Sequence, residues 1–232
     1  IIIALIFVSS IVFYVFYSNY TSMQKVEDIQ KDISKVIAEN KQPEKEKPDK
    51  EIQEEPENTE DKDKLEINKD LESLLEINKD TVGWLKVNNT NVDYPVVQTD
   101  DNDYYLTKNF KKENDNSGWI FMDYRADAVN LSQNTIIFGH NMYYSGVMFG
   151  TLYKAKQSNW YTNPDNQIIE FNTLYKNMKW KIFSIYTIDV TSDYLYTTFN
   201  TEEEYSEFID MLKNRSINDF NVEVGSSDRI LT

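Results

Sequence analysis

The 232-residue chain has room for one domain with extensions. Its formal charge of −15, from 24 Lys and Arg against 39 Asp and Glu, excludes a protein that works by neutralising nucleic-acid phosphates. It contains no cysteine, which excludes a disulfide scaffold and a thiolate metal site within these residues and leaves stability to a packed core.

The first element is an uncharged run, IIIALIFVSSIVFYVFY, over residues 1–17. At 1.5 Å rise per residue it approaches the ~20 residues that cross a bilayer. Tyr14, Tyr17 and Tyr20 suit a membrane interface, and no small-residue cleavage site follows. Residues 1–20 therefore read as a single-pass transmembrane signal-anchor, with the rest of the chain outside the cell membrane. Residues 21–64 read as a charged stalk and a disordered linker. Val26, Ile29, Ile33, Val36 and Ile37 give the stalk helix an apolar stripe up to about Asn40. Past it, Lys, Glu, Asp and Pro surround a single aliphatic, Ile52. The run LEINKD occurs at 65–70 and again at 75–80; two copies make no solenoid, and the reading is one helix from Leu65 to Ile77 opening a domain over 65–232.

Beyond Asp80 the texture turns to Tyr, Trp, Phe, Ile and Val with frequent turn residues. Strands are expected at Gly83 to Val87, Val92 to Val97, Gly118 to Met122, Asn134 to Phe138, Gln167 to Phe171, Met178 to Ile188 and from Arg229 onward. One strong helix interrupts them: Thr201 and Glu204 form a capping box, and Tyr205, Phe208, Ile209 and Leu212 follow at helical spacing. The fold class is mainly β with attached helices, a closed or nearly closed barrel in preference to a βαβ sheet.

Chemistry centres on the only histidine, His140, where the strand Asn134 to Phe138 breaks at Gly139 and gives way to the polar loop Asn141 to Ser145. An imidazole at a strand end, beside a glycine that lets the backbone turn, suits proton or nucleophile chemistry; the plain alternative is a histidine satisfied by the backbone. No G-x-S-x-G elbow, H-E-x-x-H or glycine-rich phosphate loop is present. The cluster Asp100-Asp101-Asn102-Asp103 lacks the glycine and closing glutamate of a calcium loop and reads as a turn opening a short helix, Asp103 to Leu106, so no metal and no cofactor is expected. Trp84 and Trp119 read as core, and Asp123 and Arg125 as a structural pair.

In order along the chain, TVGWLKV (81–87), VDYPVVQ (92–98), DNDYYL (101–106), GWIFMDYR (118–125), NTIIFGHN (134–141) and SGVMFGTL (145–152) resemble segments of class B sortases. The resemblance covers about residues 71–232. It implies an eight-stranded β-barrel with N-terminal helices and a helix between strands six and seven, here Thr201 to Asn214. It implies a cysteine transpeptidase, membrane-anchored outside Gram-positive cells, that cleaves a C-terminal sorting signal after Thr. The surface protein is held as a thioester and passed to an amine of a peptidoglycan precursor. His140 matches the family histidine. Asn102 and Leu106, with Tyr194 and Leu195, match the walls of the substrate groove, although Leu106 and Leu195 read equally well as core. The family cysteine closes a stretch similar to Ile230-Leu231-Thr232, so the expectation is a chain cut before its nucleophile, with the last strand missing, and inactive as it stands. The alternative is a catalytically dead, membrane-tethered module that binds wall peptides or a partner protein.

Overall fold

Strand β1 (Thr81–Val87) buries Thr81, Gly83, Leu85 and Val87 and leaves Lys86 exposed, the period-two pattern of a strand with one wet face. It pairs antiparallel with β2 (Asp93–Val97), Leu85 facing Tyr94, and with β8 (Ile168–Thr173), Leu85 facing Phe171. Around this centre the computed structural model, which describes residues 2–40, 66–189 and 193–232, builds one six-stranded sheet. Its order is β5-β3-β2-β1-β8-β9, where β3 is Phe121–Met122, β5 is Ile137–Phe138 and β9 is Lys179–Lys181. β4 (Asn134–Thr135) directly precedes β5 and pairs in parallel with β10 (Ile230–Leu231), so the sheet curls on past its β5 edge. β6 (Asn141–Met142) and β7 (Val147–Met148) form a separate hairpin.

The concave side packs on large aromatics. Trp119 is 1% exposed, its ring edge-on to Tyr94 at 5.6 Å and tilted against Phe110 at 5.5 Å, and its indole N–H donates to the Pro95 carbonyl at 2.9 Å. Trp119 is core, as read from the sequence; Trp84 packs at the core's edge, its indole N–H on Asp93.

The expected closed barrel is corrected to an open, curled sheet. Closure requires the two end strands to pair, and among the described residues no strand joins β9 to β10. The anticipated strand Met178 to Ile188 stops at Lys181 because the polar groups after it turn elsewhere. The Ile185 N–H donates to Ser216 Oγ, the Ile185 carbonyl accepts from Ile217, and the Ser184 hydroxyl donates to the Leu212 carbonyl. An apolar cavity of about 210 Å³ lies in the gap, lined by residues that include Leu85, Ile137, Ile182 and Leu231.

The N-terminal helix α1 (Ile2–Asn40) is continuous over 39 residues. Val26, Ile29 and Ile33 are buried in the main core, the Gln30 side chain donates to the Asp93 carbonyl, and Lys111 pairs with Asp32 at 2.5 Å. The stripe read as a stalk is thus a docking face. The expected transmembrane anchor is not supported: among the described residues no helix is long and apolar enough to cross a membrane. The uncharged run passes without a break into the charged, docked half of the same helix.

The expected linker, 41–64, and Leu65 lie outside the described residues. The helix read over Leu65 to Ile77 is two short turns, α2 (Lys69–Glu72) and α3 (Leu74–Ile77), with Leu71 and Leu74 buried. A further short helix, α4 (Ser158–Tyr161), buries Trp160. Helix α5 (Glu202–Arg215) starts as anticipated: Thr201 Oγ1 accepts the Glu204 N–H at 3.1 Å, while the Glu204 carboxylate reaches back to the Asn200 N–H at 2.9 Å. Tyr205, Phe208, Ile209 and Leu212 are buried in one cluster with Ile230 of β10.

Candidate active site

His140 leaves the end of β5 one residue past Gly139. The glycine sits in a tight space and not in a left-handed turn: a Cβ there would lie 2.5 Å from Ile120 Cδ1 and 2.8 Å from Phe149 Cδ2, side-chain atoms that would have to shift. The β6–β7 hairpin then clamps the backbone, the His140 carbonyl accepting N–H groups from Met142 at 3.1 Å and Phe149 at 3.0 Å. The half-buried imidazole sets Nε2 2.8 Å from the carbonyl oxygen of Leu106. A carbonyl only accepts, so Nε2 carries a proton and Nδ1 is the nitrogen left to exchange one.

Leu106 ends the short 3-10 turn Tyr104–Leu106, whose start is tied by Asp101: its Oδ1 accepts the N–H groups of Asp103 and Tyr104 at 2.8 and 2.7 Å. That is the turn read for the acidic cluster. Among the described residues no group of three His, Cys, Asp or Glu is arranged to hold a metal ion. Leu106 as a residue is 37% exposed, so it is not core.

The other three expected groove residues are tied in by polar contacts. Asn102 Nδ2 donates to Asp123 Oδ2 at 3.1 Å, and Asn102 Oδ1 accepts the Tyr124 N–H at 3.0 Å. The Leu195 carbonyl accepts from Arg125 Nη2 at 2.9 Å, and the Tyr194 carbonyl lies 3.4 Å from Asn134 Nδ2. Arg125 in turn forks onto Asp123, Nε to Oδ1 at 2.8 Å and Nη2 to Oδ2 at 2.7 Å. One buried carboxylate therefore joins the 102–106 segment to the 193–197 loop. The structure brings His140 and Leu106 into direct contact and links Asn102 to Leu195 through the Asp123–Arg125 pair. Tyr194 hangs on Asn134 instead.

No protein-family model matches the chain. Over 131 residues it is 34% identical to sortase B of Staphylococcus aureus, an alignment covering 56% of this chain and 52% of that protein. The chain spans about half the length of the curated relatives it matches. Its fold superposes on sortase B from B. anthracis, solved with AAEK1, with a TM-score of 0.75 at 28% identity, covering 91% of this chain and 90% of the other. It superposes on a Staphylococcus aureus sortase B–substrate complex with a TM-score of 0.70 at 30% identity, covering 88% and 83%. The chain belongs to the class B sortase family.

Two features of this sortase escaped the sequence. Asn134 is fully buried in β4, and its Nδ2 donates to the Tyr196 carbonyl at 2.8 Å while its Oδ1 accepts the Thr232 hydroxyl at 2.7 Å. It fastens the 194–197 loop and β10 to the strand that leads to His140; an amide among strand aliphatics was the available signal. The second is electrostatic. Burial would push the Asp123 carboxyl up, but hydrogen bonds from the Arg125 side chain, the Arg125 backbone and Asn102 outweigh it and hold the group below the usual carboxylate range. The Thr232 N–H donates to the Thr135 carbonyl at 2.9 Å and its carbonyl accepts from Ile137 at 2.8 Å, so β10 runs alongside the histidine strand in the same direction.

Proposed function

We propose that this sortase chain supplies the acid–base histidine and the peptide groove of a cysteine transpeptidase. The observation that carries the reading is the imidazole of His140, whose Nε2 lies 2.8 Å from the Leu106 carbonyl so that Nδ1 is the nitrogen left for proton transfer, at the end of the strand that β10 parallels. The nucleophile in this reading is a cysteine thiolate, a group the 232 residues do not contain.

In the reaction, the thiolate attacks the carbonyl of a sorting-signal Thr and the C–N bond breaks. The imidazolium, which has taken the thiol's proton, gives it to the departing amine, and the acyl group stays on sulfur. An amine of a cell-wall precursor then attacks the thioester, the C–S bond breaks, the amine's proton returns to the imidazole, and the thiolate is regenerated. Leu106 with Asn102 would form one wall of the groove, and Tyr194 with Leu195 the other. Exposure of Leu106 supports the first wall. Asn102, whose amide already serves Asp123 and Tyr124, would act there by holding the loop.

The test is to express the full product of the gene and incubate it with a peptide carrying a sorting signal and an amine acceptor. The expected result is a covalent acyl-enzyme by mass spectrometry and a transpeptidation product, both lost by at least about 10²-fold in His140→Ala. A full product without a reactive thiol, binding the peptide and leaving it whole, would replace this reading with a peptide-binding module.

A further inference from the structure

We propose that Gly118 is a positioning residue for His140, acting through the Leu106 carbonyl to hold the imidazole proton on Nε2 and leave Nδ1 as the working nitrogen. The inference rests on reading His140 as the acid–base group, and its test does not use activity.

Among the described residues the imidazole has one hydrogen-bonding partner, the Leu106 oxygen at 2.8 Å. Whatever fixes that peptide therefore fixes both the tautomer and the ring. The turn Tyr104–Leu106 is anchored at its start by Asp101 and at its end by the Trp119 N–H, which donates to the Tyr105 carbonyl at 2.9 Å. Gly118 comes immediately before that tryptophan, with φ at +57°, a conformation that costs a residue with a side chain and costs glycine nothing.

The chain crosses directly beneath the peptide that faces the histidine. A Cβ on residue 118 would lie 2.4 Å from the Tyr105 oxygen, 2.8 Å from the Leu106 oxygen and 3.0 Å from the Leu106 carbonyl carbon. All three are backbone atoms, which cannot swing aside as a side-chain tip can. A substituted residue 118 has to push the Leu106 peptide, and with it the acceptor, off the imidazole. Gly118 reaches His140 only through Leu106, which is why its role is positioning.

The single histidine makes the readout clean, because an imidazole-labelled sample of the chain gives one spin system. In the parent chain the Nε2 proton is expected as a resolved resonance with slowed exchange. In Gly118→Ala and Gly118→Asn that exchange should quicken about tenfold, the worth of one hydrogen bond. Asparagine accepts a left-handed backbone, so Gly118→Asn separates the added Cβ from backbone strain and serves if the alanine variant does not fold.

Gly146→Ala is the control. Gly146 also has positive φ, +71°, but a Cβ there meets nothing nearer than Asn91 Nδ2 at 3.4 Å. It should keep the slow proton. A fast-exchanging proton in the parent chain, an unchanged one in both Gly118 variants, or an equal loss in Gly146→Ala would each overturn the proposal. If the full protein proved to lack transpeptidase activity, the resonance result would stand apart from that failure.

Discussion

Arg125→Ala offers the sharpest test of how the groove segments are held together. The Asp123 side chain is fully buried and its two oxygens take the guanidinium fork at 2.7 and 2.8 Å, whereas the Arg125 side chain is 40% exposed. Removing one partner of a fully buried pair costs about 3–5 kcal/mol. Water reaches Arg125, and Asp123 would keep its bonds from Asn102 and the residue-125 backbone, so the expected loss is about 2–3 kcal/mol. Urea unfolding at neutral pH should register it as a lower midpoint with an unchanged slope.

The acid limb carries a second sign. The folded carboxyl of Asp123 sits below its unfolded value, so its stabilisation is present above about pH 4, where both states are ionised. It is lost as pH falls through the folded value. In Arg125→Ala burial would dominate, and that acid-sensitive contribution should vanish or reverse. A loss under about 0.5 kcal/mol, the size of an ordinary surface substitution, together with an unaltered acid limb, would refute the view that this pair ties the two segments.

Ile33→Ala, which truncates a 1% exposed residue of α1, should cost about 2–4 kcal/mol of domain stability by thermal or chemical melting; an undocked stalk would show no change. Asn134→Leu deprives the Tyr196 carbonyl and the Thr232 hydroxyl of their partner, which predicts a loss of about 1–3 kcal/mol and faster limited proteolysis at 194–197. Thr201→Ala removes the α5 cap and should cost about 1 kcal/mol, with cleavage of the first turn of α5 appearing before global unfolding.

Helix α5 was legible because its signal is local: the cap and the four buried positions are set by residues within a few places of each other. β1 and β8 were legible as short β-branched and aromatic runs bounded by turn residues. What such a run does not name is the partner. Met178 to Ile188 reads as one strand, yet past Lys181 its backbone groups turn to the end of α5, a choice made by residues 212–217 and invisible in the strand itself. The stripe on α1 was visible, but its surface of contact at β2 was not. At the site, the chemical identity of His140 stood out as the sole imidazole, while its tautomer depends on a carbonyl 34 positions earlier. Gly139 was read as a glycine that lets the backbone turn, whereas its φ is not left-handed and a Cβ there would meet Ile120 and Phe149.

The parallel pairing of β10 with β4 has a consequence for the order of assembly. Its register joins residues 96 positions apart, Ile230 with Asn134, whereas Leu85 of β1 and Tyr94 of β2 meet across a separation of 9. Closing the longer loop costs more chain entropy and is rewarded only after intervening segments have found their places. On a ribosome, β1 and β2 can pair long before Ile230 emerges, and until then the strand leading to His140 keeps an open edge. We predict that pulse-labelled amides of β1 gain protection before those of Thr135 and Ile137 during refolding, with simultaneous protection counting against it. The strand that leads to His140 would then gain its last neighbour only as the domain finishes folding.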